Sequence, residues 1–332
     1  MRCEHLKPKH ILIMTTGGTI AMIEDPATQT VKPVENAADL VGAIPQLKDV
    51  ARVSVEAFSN IPSPHLTTEQ LTDLGRAVKE RLSRPDVDGI VITHGTDTLE
   101  ETAYYLDLIL PPGLPVIVTG AMRSSNELGA DGPINLLNSV RTAASEVAVD
   151  QGVLVVFNDE IHAARFVTKT HTSNVATFQS PAVGPIGFLD KRSVQIRHIP
   201  KPHAHIPVDS LVAEVGLLKM AVGMDDSLIR YLVQSGSKGI VIEALGQGNI
   251  PPMVVPGIKD AIQHNVPVVL VSRCYNGIVQ DVYGYEGGGK HLRDLGVLFS
   301  NGLNGQKARI KLMVALRETV DLEQLKEYFE QE

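Results

Sequence analysis

The sequence predicts a doubly wound α/β protein of two domains, a larger N-terminal one on a mostly parallel sheet and a smaller C-terminal α/β one. Three observations carry this reading. Short Val/Ile/Leu runs recur along the 332 residues. They are continuously apolar, not alternating, which is the pattern of strands buried on both faces of a parallel sheet. Segments of helical period stand between them. The alternation breaks once, where Lys191-Arg192 leads into Pro200, Pro202 and Pro207 with His198, His203 and His205 among them. Four strand-like runs precede this stretch and three follow it, so the expected division is 1–190, a linker over 191–213, and 214–332.

In order, the strand-like runs are Ile11–Met14, Gly89–Thr93, Leu114–Thr119, Val153–Phe157, Val215–Met220, Gly239–Ile242 and Val266–Val271. The first long helix is predicted over Thr67–Ser83, where Leu71, Leu74, Val78 and Leu82 recur at spacings of three or four and Thr67 or Thr68 is placed to cap. Glu100–Leu110, Pro133–Ala148, Asp225–Ser235, Pro256–His264 and Gln306–Arg317 read the same way. Strands alternating with helices give the doubly wound class. Aromatic residues make up only 4% and Trp is absent, so the core rests on Val, Ile, Leu and Ala.

A formal net charge of −8 argues against a nucleic-acid partner, whose phosphates need a dense Lys/Arg surface, and against an anionic membrane. The first apolar run is too short for a signal core or a membrane span, so the chain as it stands reads as cytoplasmic, although one whose leader had been removed would read alike. Cys3 and Cys274 are the two cysteines; a pair between them is open, but they form neither a disulfide framework nor a CxxC metal site.

Ligands of open α/β sheets bind beyond the carboxyl ends of the strands, so the residues after each run matter most. They are Thr15-Thr16-Gly17-Gly18-Thr19-Ile20-Ala21, then Thr93-His94-Gly95-Thr96-Asp97-Thr98, then Thr119-Gly120-Ala121-Met122, and further on Val167-Thr168-Lys169-Thr170. Brought to one crevice, these supply two threonines, an aspartate and a lysine. A threonine hydroxyl is a poor nucleophile until a base takes its proton, and a lysine held as the free amine is such a base. The aspartate orients the lysine or binds an ammonium group, and the glycine pair lets backbone N–H groups approach an oxyanion. Those parts suffice for acyl transfer from an amide with no metal or cofactor. Taken singly they are also ordinary: Thr-Gly-Gly-Thr as a tight connection, Gly95-Thr96-Asp97 as a helix cap, Lys169 as a surface charge.

Thr16-Gly17-Gly18-Thr19-Ile20-Ala21 and His94-Gly95-Thr96-Asp97-Thr98-Leu99-Glu100-Glu101-Thr102 resemble the two signature segments of the bacterial L-asparaginase family. The likeness continues through Gly120-Ala121-Met122-Arg123, Ala130-Asp131-Gly132-Pro133, Val167-Thr168-Lys169-Thr170 and Gln306-Lys307-Ala308-Arg309, nearly the whole chain. It implies hydrolysis of L-asparagine to L-aspartate and ammonia through an acyl-threonine. On that pattern Thr19 is the nucleophile, and Thr96 with Asp97 and Lys169 activates water for deacylation. Asp97 also holds the substrate's α-ammonium group, Ser63 its α-carboxylate, and the Ala121 carbonyl lies near the leaving ammonia. The resemblance further implies a homotetramer, a dimer of dimers, in which Asn249 completes the partner's site.

Two departures stand out. Many members of the family carry a tyrosine in the loop after the first signature, and Met22 to Glu35 contains none. Tyr283, Tyr285 or Glu286 is the expected substitute. Pro64 stands where many relatives have a substrate-contacting glutamine, which leaves asparagine against glutamine open, a dual asparaginase–glutaminase included. The amidotransferase subunit that supplies ammonia for charged-tRNA modification is a further relative, disfavoured by the acidic charge and the lack of an appended N-terminal domain. From another class, Gly284-Tyr285-Glu286-Gly287-Gly288-Gly289-Lys290-His291 nearly reads as a phosphate loop, and a nucleotide-binding protein is the alternative; His291 replaces the Ser/Thr that would hold magnesium. His162, His171, His198, His203 and His205 make no metal-ligand pattern, and His94 is expected to make a structural hydrogen bond.

Overall fold

The computed structural model describes residues 8–25, 30–33, 42, 44–199 and 205–330. It divides into two compact units, 1–201 and 202–332, each an α/β layered structure.

The N-terminal unit is built on an eight-stranded sheet. Its parallel part comprises β1 (His10–Thr15), β4 (Arg52–Ala57), β5 (Gly89–Thr93), β6 (Val116–Thr119) and β7 (Val153–Phe157), and β8 (Glu160–Ala163), β11 (Gly187–Leu189) and β12 (Val194–Ile196) extend it antiparallel. Across the sheet the order is β12-β11-β8-β7-β6-β5-β1-β4. Two hairpins lie outside it, β2 (Met22–Asp25) with β3 (Thr30–Pro33), and β9 (Thr168–Lys169) with β10 (Phe178–Gln179). Successive side chains of a strand point to opposite faces. On one face Ile11, Ile13, Val91, Ile117 and Leu154 meet Leu136, Val140 and Ala143. Leu12, Met14, Ile90 and Ile92 alternate with these and are equally buried, which explains why the strands read as unbroken apolar runs.

Among the described residues the helices of this unit include α1 (Leu47–Val50), α2 (Thr68–Leu82), α3 (Leu99–Ile109) and α4 (Gly132–Ala143). Thr67 begins α2 with a reciprocal cap: its hydroxyl accepts the Gln70 N–H, and the Gln70 side chain accepts the Thr67 N–H. The helix expected over Pro133–Ala148 stops at Ala143, because Ser145 turns extended and Glu146–Ala148 forms a separate 3-10 turn. The sequence reading passed over β4, an edge strand in which Arg52, Ser54 and Glu56 alternate with Val53 and Val55, and the short antiparallel β8, β11 and β12. Val194–Ile196 falls inside the stretch expected as linker yet pairs with β11 in this sheet.

The C-terminal unit is a four-stranded parallel sheet, β13 (Val215–Lys219), β14 (Gly239–Ala244), β15 (Val268–Ser272) and β16 (Leu298–Phe299), in that order. Its helices are α5 (Ser227–Gln234), α6 (Val255–Gln263), α7 (Gly289–Asp294), α8 (Gly305–Glu318) and α9 (Leu322–Glu330). Ile229, Val255, Ile258, Ala261 and Leu292 pack on Ile240, Ile242, Val268 and Leu270, while α8 lies against β13, β14 and β15.

Candidate active site

The site grows from the point where the strand order reverses. After β1 the chain places β4 on one side, then returns to place β5 on the other. The carboxyl ends of β1 and β5, paired through Thr15 and Thr93, therefore open a crevice at a topological switch point. The ends are tied together: Thr16 donates its N–H (3.1 Å) and hydroxyl (3.0 Å) to the Thr93 carbonyl, and the His94 N–H reaches the Thr119 carbonyl at 2.8 Å. Gly17 and Gly18 follow with φ of 110° and 86°, a region that favours glycine. A Cβ on Gly18 would stand 2.4 Å from the Gly95 Cα and N. The turn that carries Thr19 is thus pressed onto the turn that carries Thr96. Thr19 itself opens a 3-10 turn, Thr19–Ala21.

Lys169 arrives from a separate hairpin, on β9. Its Nζ donates to Thr96 Oγ1 at 2.9 Å and to Asp97 Oδ1 at 2.7 Å. The Asp97 side chain is 59% exposed and that of Lys169 16%, so the ion pair adds little to stability; what it fixes is the lysine nitrogen beside the Thr96 hydroxyl. Ser63 is built onto the same turn. Its Oγ accepts the Asp97 N–H at 3.2 Å and its carbonyl accepts the Thr98 hydroxyl at 3.0 Å, and a Cβ on Gly95 would meet Ser63 Oγ at 2.7 Å. Thr98 is the N-cap residue of α3 but makes no side-chain cap bond, its hydroxyl being taken by Ser63.

His94 is buried beneath these residues. Its Nδ1 lies 2.8 Å from the Gly95 carbonyl and its Nε2 3.0 Å from Thr102 Oγ1. A carbonyl only accepts, so Nδ1 carries the proton and Nε2 takes the Thr102 hydroxyl hydrogen. Burial pulls this imidazole down to about 4, against the smaller opposing effect of the Gly95 carbonyl. The structural hydrogen bond expected of His94 is present.

The residues after β6 are gripped from α4. Asp131, 8% exposed, accepts the Met122 N–H at 3.1 and 3.0 Å and the Arg123 N–H at 2.9 Å. Asn135 bridges Asp131 Oδ2 and the Gly120 carbonyl, each at 3.1 Å. Nothing in Ala130-Asp131-Gly132-Pro133 as a sequence points to this grip. An acidic residue two places before a helical proline is the signal that was available, and it reads first as a cap.

The structure thus brings Thr96, Asp97, Lys169 and Ser63 into direct contact and sets the Thr19 turn against theirs, with Ala121 on the adjoining loop. Asn249 belongs to the C-terminal unit, where it closes a short bridge with Leu245, and its Oδ1 is buried without a hydrogen-bond partner among the described residues. Tyr283 and Tyr285 are exposed, with ring centres 5.5 Å apart, and Glu286 beside them is exposed too. The phosphate-loop reading of 284–291 meets a different structure. No strand runs into the loop, α7 has six residues, and His291 Nδ1 accepts the Gly287 N–H at 3.1 Å, closing the turn where a nucleotide loop would present a hydroxyl to magnesium. Cys274 is a free, exposed thiol; Cys3, His203 and much of the loop between Met22 and Glu35 lie outside the described residues. Among the described residues no His/Cys/Asp/Glu group is arranged to hold a metal ion, and no helix is long and apolar enough to cross a membrane.

A mostly parallel sheet with a threonine–lysine–aspartate cluster at its switch point, followed by a second α/β unit, defines the class, and comparison with known proteins narrows it. Residues 10–202 match the family profile described as Asparaginase, N-terminal, and residues 214–329 match the Glutaminase/Asparaginase C-terminal domain. L-asparaginase 2 of Escherichia coli is 38% identical over 331 residues, covering 97% of this chain and 93% of that one. A Glutaminase-asparaginase of Pseudomonas aeruginosa is 34% identical over 340 residues, covering 97% and 90%. The crystal structure of a probable cytoplasmic L-asparaginase from Campylobacter jejuni matches with a TM-score of 0.87 at 34% identity, over 98% of this chain and 100% of that chain. The chain belongs to the asparaginase/glutaminase family of amidohydrolases.

Proposed function

We propose that the protein hydrolyses L-asparagine to L-aspartate and ammonia through an acyl-threonine. Thr19 Oγ attacks the side-chain carbonyl carbon, and the Gly17-Gly18 turn offers its N–H groups to the oxyanion. The C–N bond breaks, the nitrogen leaves as ammonia with the hydroxyl proton, and an aspartyl ester remains on Thr19. Thr96, with Lys169 and Asp97 beside it, then activates water; the water oxygen attacks the ester, the C–O bond breaks, and the water's proton passes to the Thr19 oxygen. Asp97 holds the α-ammonium group by a charge-assisted hydrogen bond and Ser63 the α-carboxylate. The observation that carries this reading is the Lys169 nitrogen, 2.9 Å from the Thr96 hydroxyl and 2.7 Å from the Asp97 carboxylate, on a turn packed against that of Thr19. The working form on this reading is a cytoplasmic homotetramer in which Asn249 of one protomer completes a neighbour's site. Tyr283, Tyr285 or Glu286 supplies the proton acceptor that the first loop lacks.

A second reading, a dual asparaginase–glutaminase, is favoured by Pro64, which is exposed and offers the substrate no side-chain hydrogen bond. One methylene in a pocket is worth about 1–3 kcal/mol, so discrimination between the amides is modest by default. The test is ammonia release from L-asparagine and L-glutamine by wild type, Thr19→Ala and Thr96→Ala. Asparagine turnover lost in both variants is the expected result, and the glutamine rate decides between the readings. Full activity in Thr19→Ala would sink the mechanism. In the same assay, undiminished turnover by Tyr283→Phe, Tyr285→Phe and Glu286→Gln would remove all three as the acceptor.

A further inference from the structure

Asp131 is a buried carboxylate that the reaction just described does not use. It occupies the N-cap of α4, yet its side chain makes no cap hydrogen bond. The carboxylate turns instead to the loop after β6, gripping the Met122 and Arg123 N–H groups at 2.9–3.1 Å and the Asn135 amide at 3.1 Å. Asn135, 1% exposed, steadies the same loop and ties it to the end of β7. It donates to the Gly120 carbonyl at 3.1 Å, and its Oδ1 accepts the Asn158 N–H at 3.0 Å.

One peptide unit turns this grip into chemistry. The Ala121 carbonyl and the Met122 N–H belong to the same plane and, the bond being trans, point in opposite directions. Fixing the N–H on Asp131 aims the Ala121 oxygen away from α4. A full negative charge on the N–H also draws electron density toward the carbonyl oxygen, strengthening it as an acceptor. That peptide adjoins the nucleophile's turn: a Cβ on Gly132 would lie 3.4 Å from the Ala121 Cβ and 3.0 Å from Cγ1 of Ile20, the residue after Thr19.

We infer that Asp131 is a positioning residue that orients and polarises the Ala121 carbonyl to receive the departing nitrogen. This rests on the proposed attack of Thr19 on an amide. As the C–N bond breaks the nitrogen takes up a proton and gains positive charge before it leaves as ammonia. Its hydrogen bond to the Ala121 oxygen strengthens along the way, so the interaction favours the transition state over bound substrate. An ester's leaving oxygen carries no hydrogen until it is protonated to depart as the alcohol, so it gains far less from it.

The experiment compares kcat/KM, which reports the acylation step, for L-asparagine and for the β-methyl ester of L-aspartate. In Asp131→Asn the amide value is expected to fall about 10- to 100-fold, and the ester value by less than about 3-fold. Asn135→Ala keeps the charge but loosens the loop, and it should lower the amide-to-ester ratio in the same direction by a smaller factor; it carries the test should Asp131→Asn not fold. An equal fall for both substrates, or an unchanged amide rate, would overturn the inference and leave Asp131 a structural residue. Wild type that cleaves neither substrate would overturn the reaction itself, and the inference with it.

Discussion

At the scale of the single residue, His94 holds a turn of the site in place through two buried hydrogen bonds. It sits one residue before the Gly95-Thr96 turn, fully enclosed, with one nitrogen committed to the Gly95 carbonyl and the other to Thr102. Burial holds it neutral, with its titration pulled from 6.5 to about 4. The sign of the consequence follows from proton linkage. Above pH 6.5 neither the folded nor the unfolded chain binds a proton here. Between pH 6.5 and pH 4 the unfolded chain does and the folded chain does not, so stability falls as pH falls through that window, by about 3 kcal/mol in all. Urea midpoints of wild type and His94→Gln across the range from pH 7 to pH 4 check this. The wild type's advantage should shrink steadily on acidification, and a constant difference would contradict it.

At the scale of elements, strand ends bring together the turns that carry the site residues. β1 and β5 deliver their turns to the same end of the sheet because parallel neighbours share a direction, and Gly18 and Gly95 let those turns touch. Helix α2 lies behind β5 and α3, and its start is fixed by the Thr67–Gln70 cap. Thr67→Ala should cost about 1 kcal/mol and lower the melting temperature of the N-terminal unit by about 2–4 °C, with asparagine turnover at room temperature unaltered. A calorimetric scan beside the ammonia assay checks both halves. The capping threonine of α2 was legible because Thr67 precedes a clean three-four pattern. The end of α4 was not, since Ala143, Ala144 and Val147 carry the helical pattern past the place where the backbone leaves it at Ser145.

For the whole molecule, the decisive question is whether a single chain is sufficient. On the proposed reading Asn249 acts in a neighbour's site, and its buried Oδ1 has no hydrogen-bond partner among the described residues. Thr19→Ala and Asn249→Ala should then each be weak alone, and oligomers dissociated and reassembled from a mixture of the two should regain activity, because some sites unite an intact Thr19 with an intact Asn249. Activity that never exceeds the average of the two parents would place Asn249 outside a shared site.

The sequence by itself determined the layered α/β class and the two-domain plan, because burial on both faces leaves a continuous apolar signal and helical period leaves another. Short segments at strand ends also pointed to Thr19, Thr96, Asp97 and Lys169, whereas Ser63 was suggested only by the resemblance to the family, the strand that leads to it having left no clear signal. Tertiary structure alone decided what those residues touch. Lys169 lies 73 positions from Thr96 in the chain, and a separation of that size leaves no periodicity to read. It alone turned Asp131 from an apparent helix cap into the grip on Met122, for a carboxylate's choice between two sets of N–H donors depends on which of them the fold brings within 3 Å. Edge strands such as β4, with one neighbour and one wet face, stayed hidden because their pattern is that of any half-buried segment until a sheet is there to pair with them.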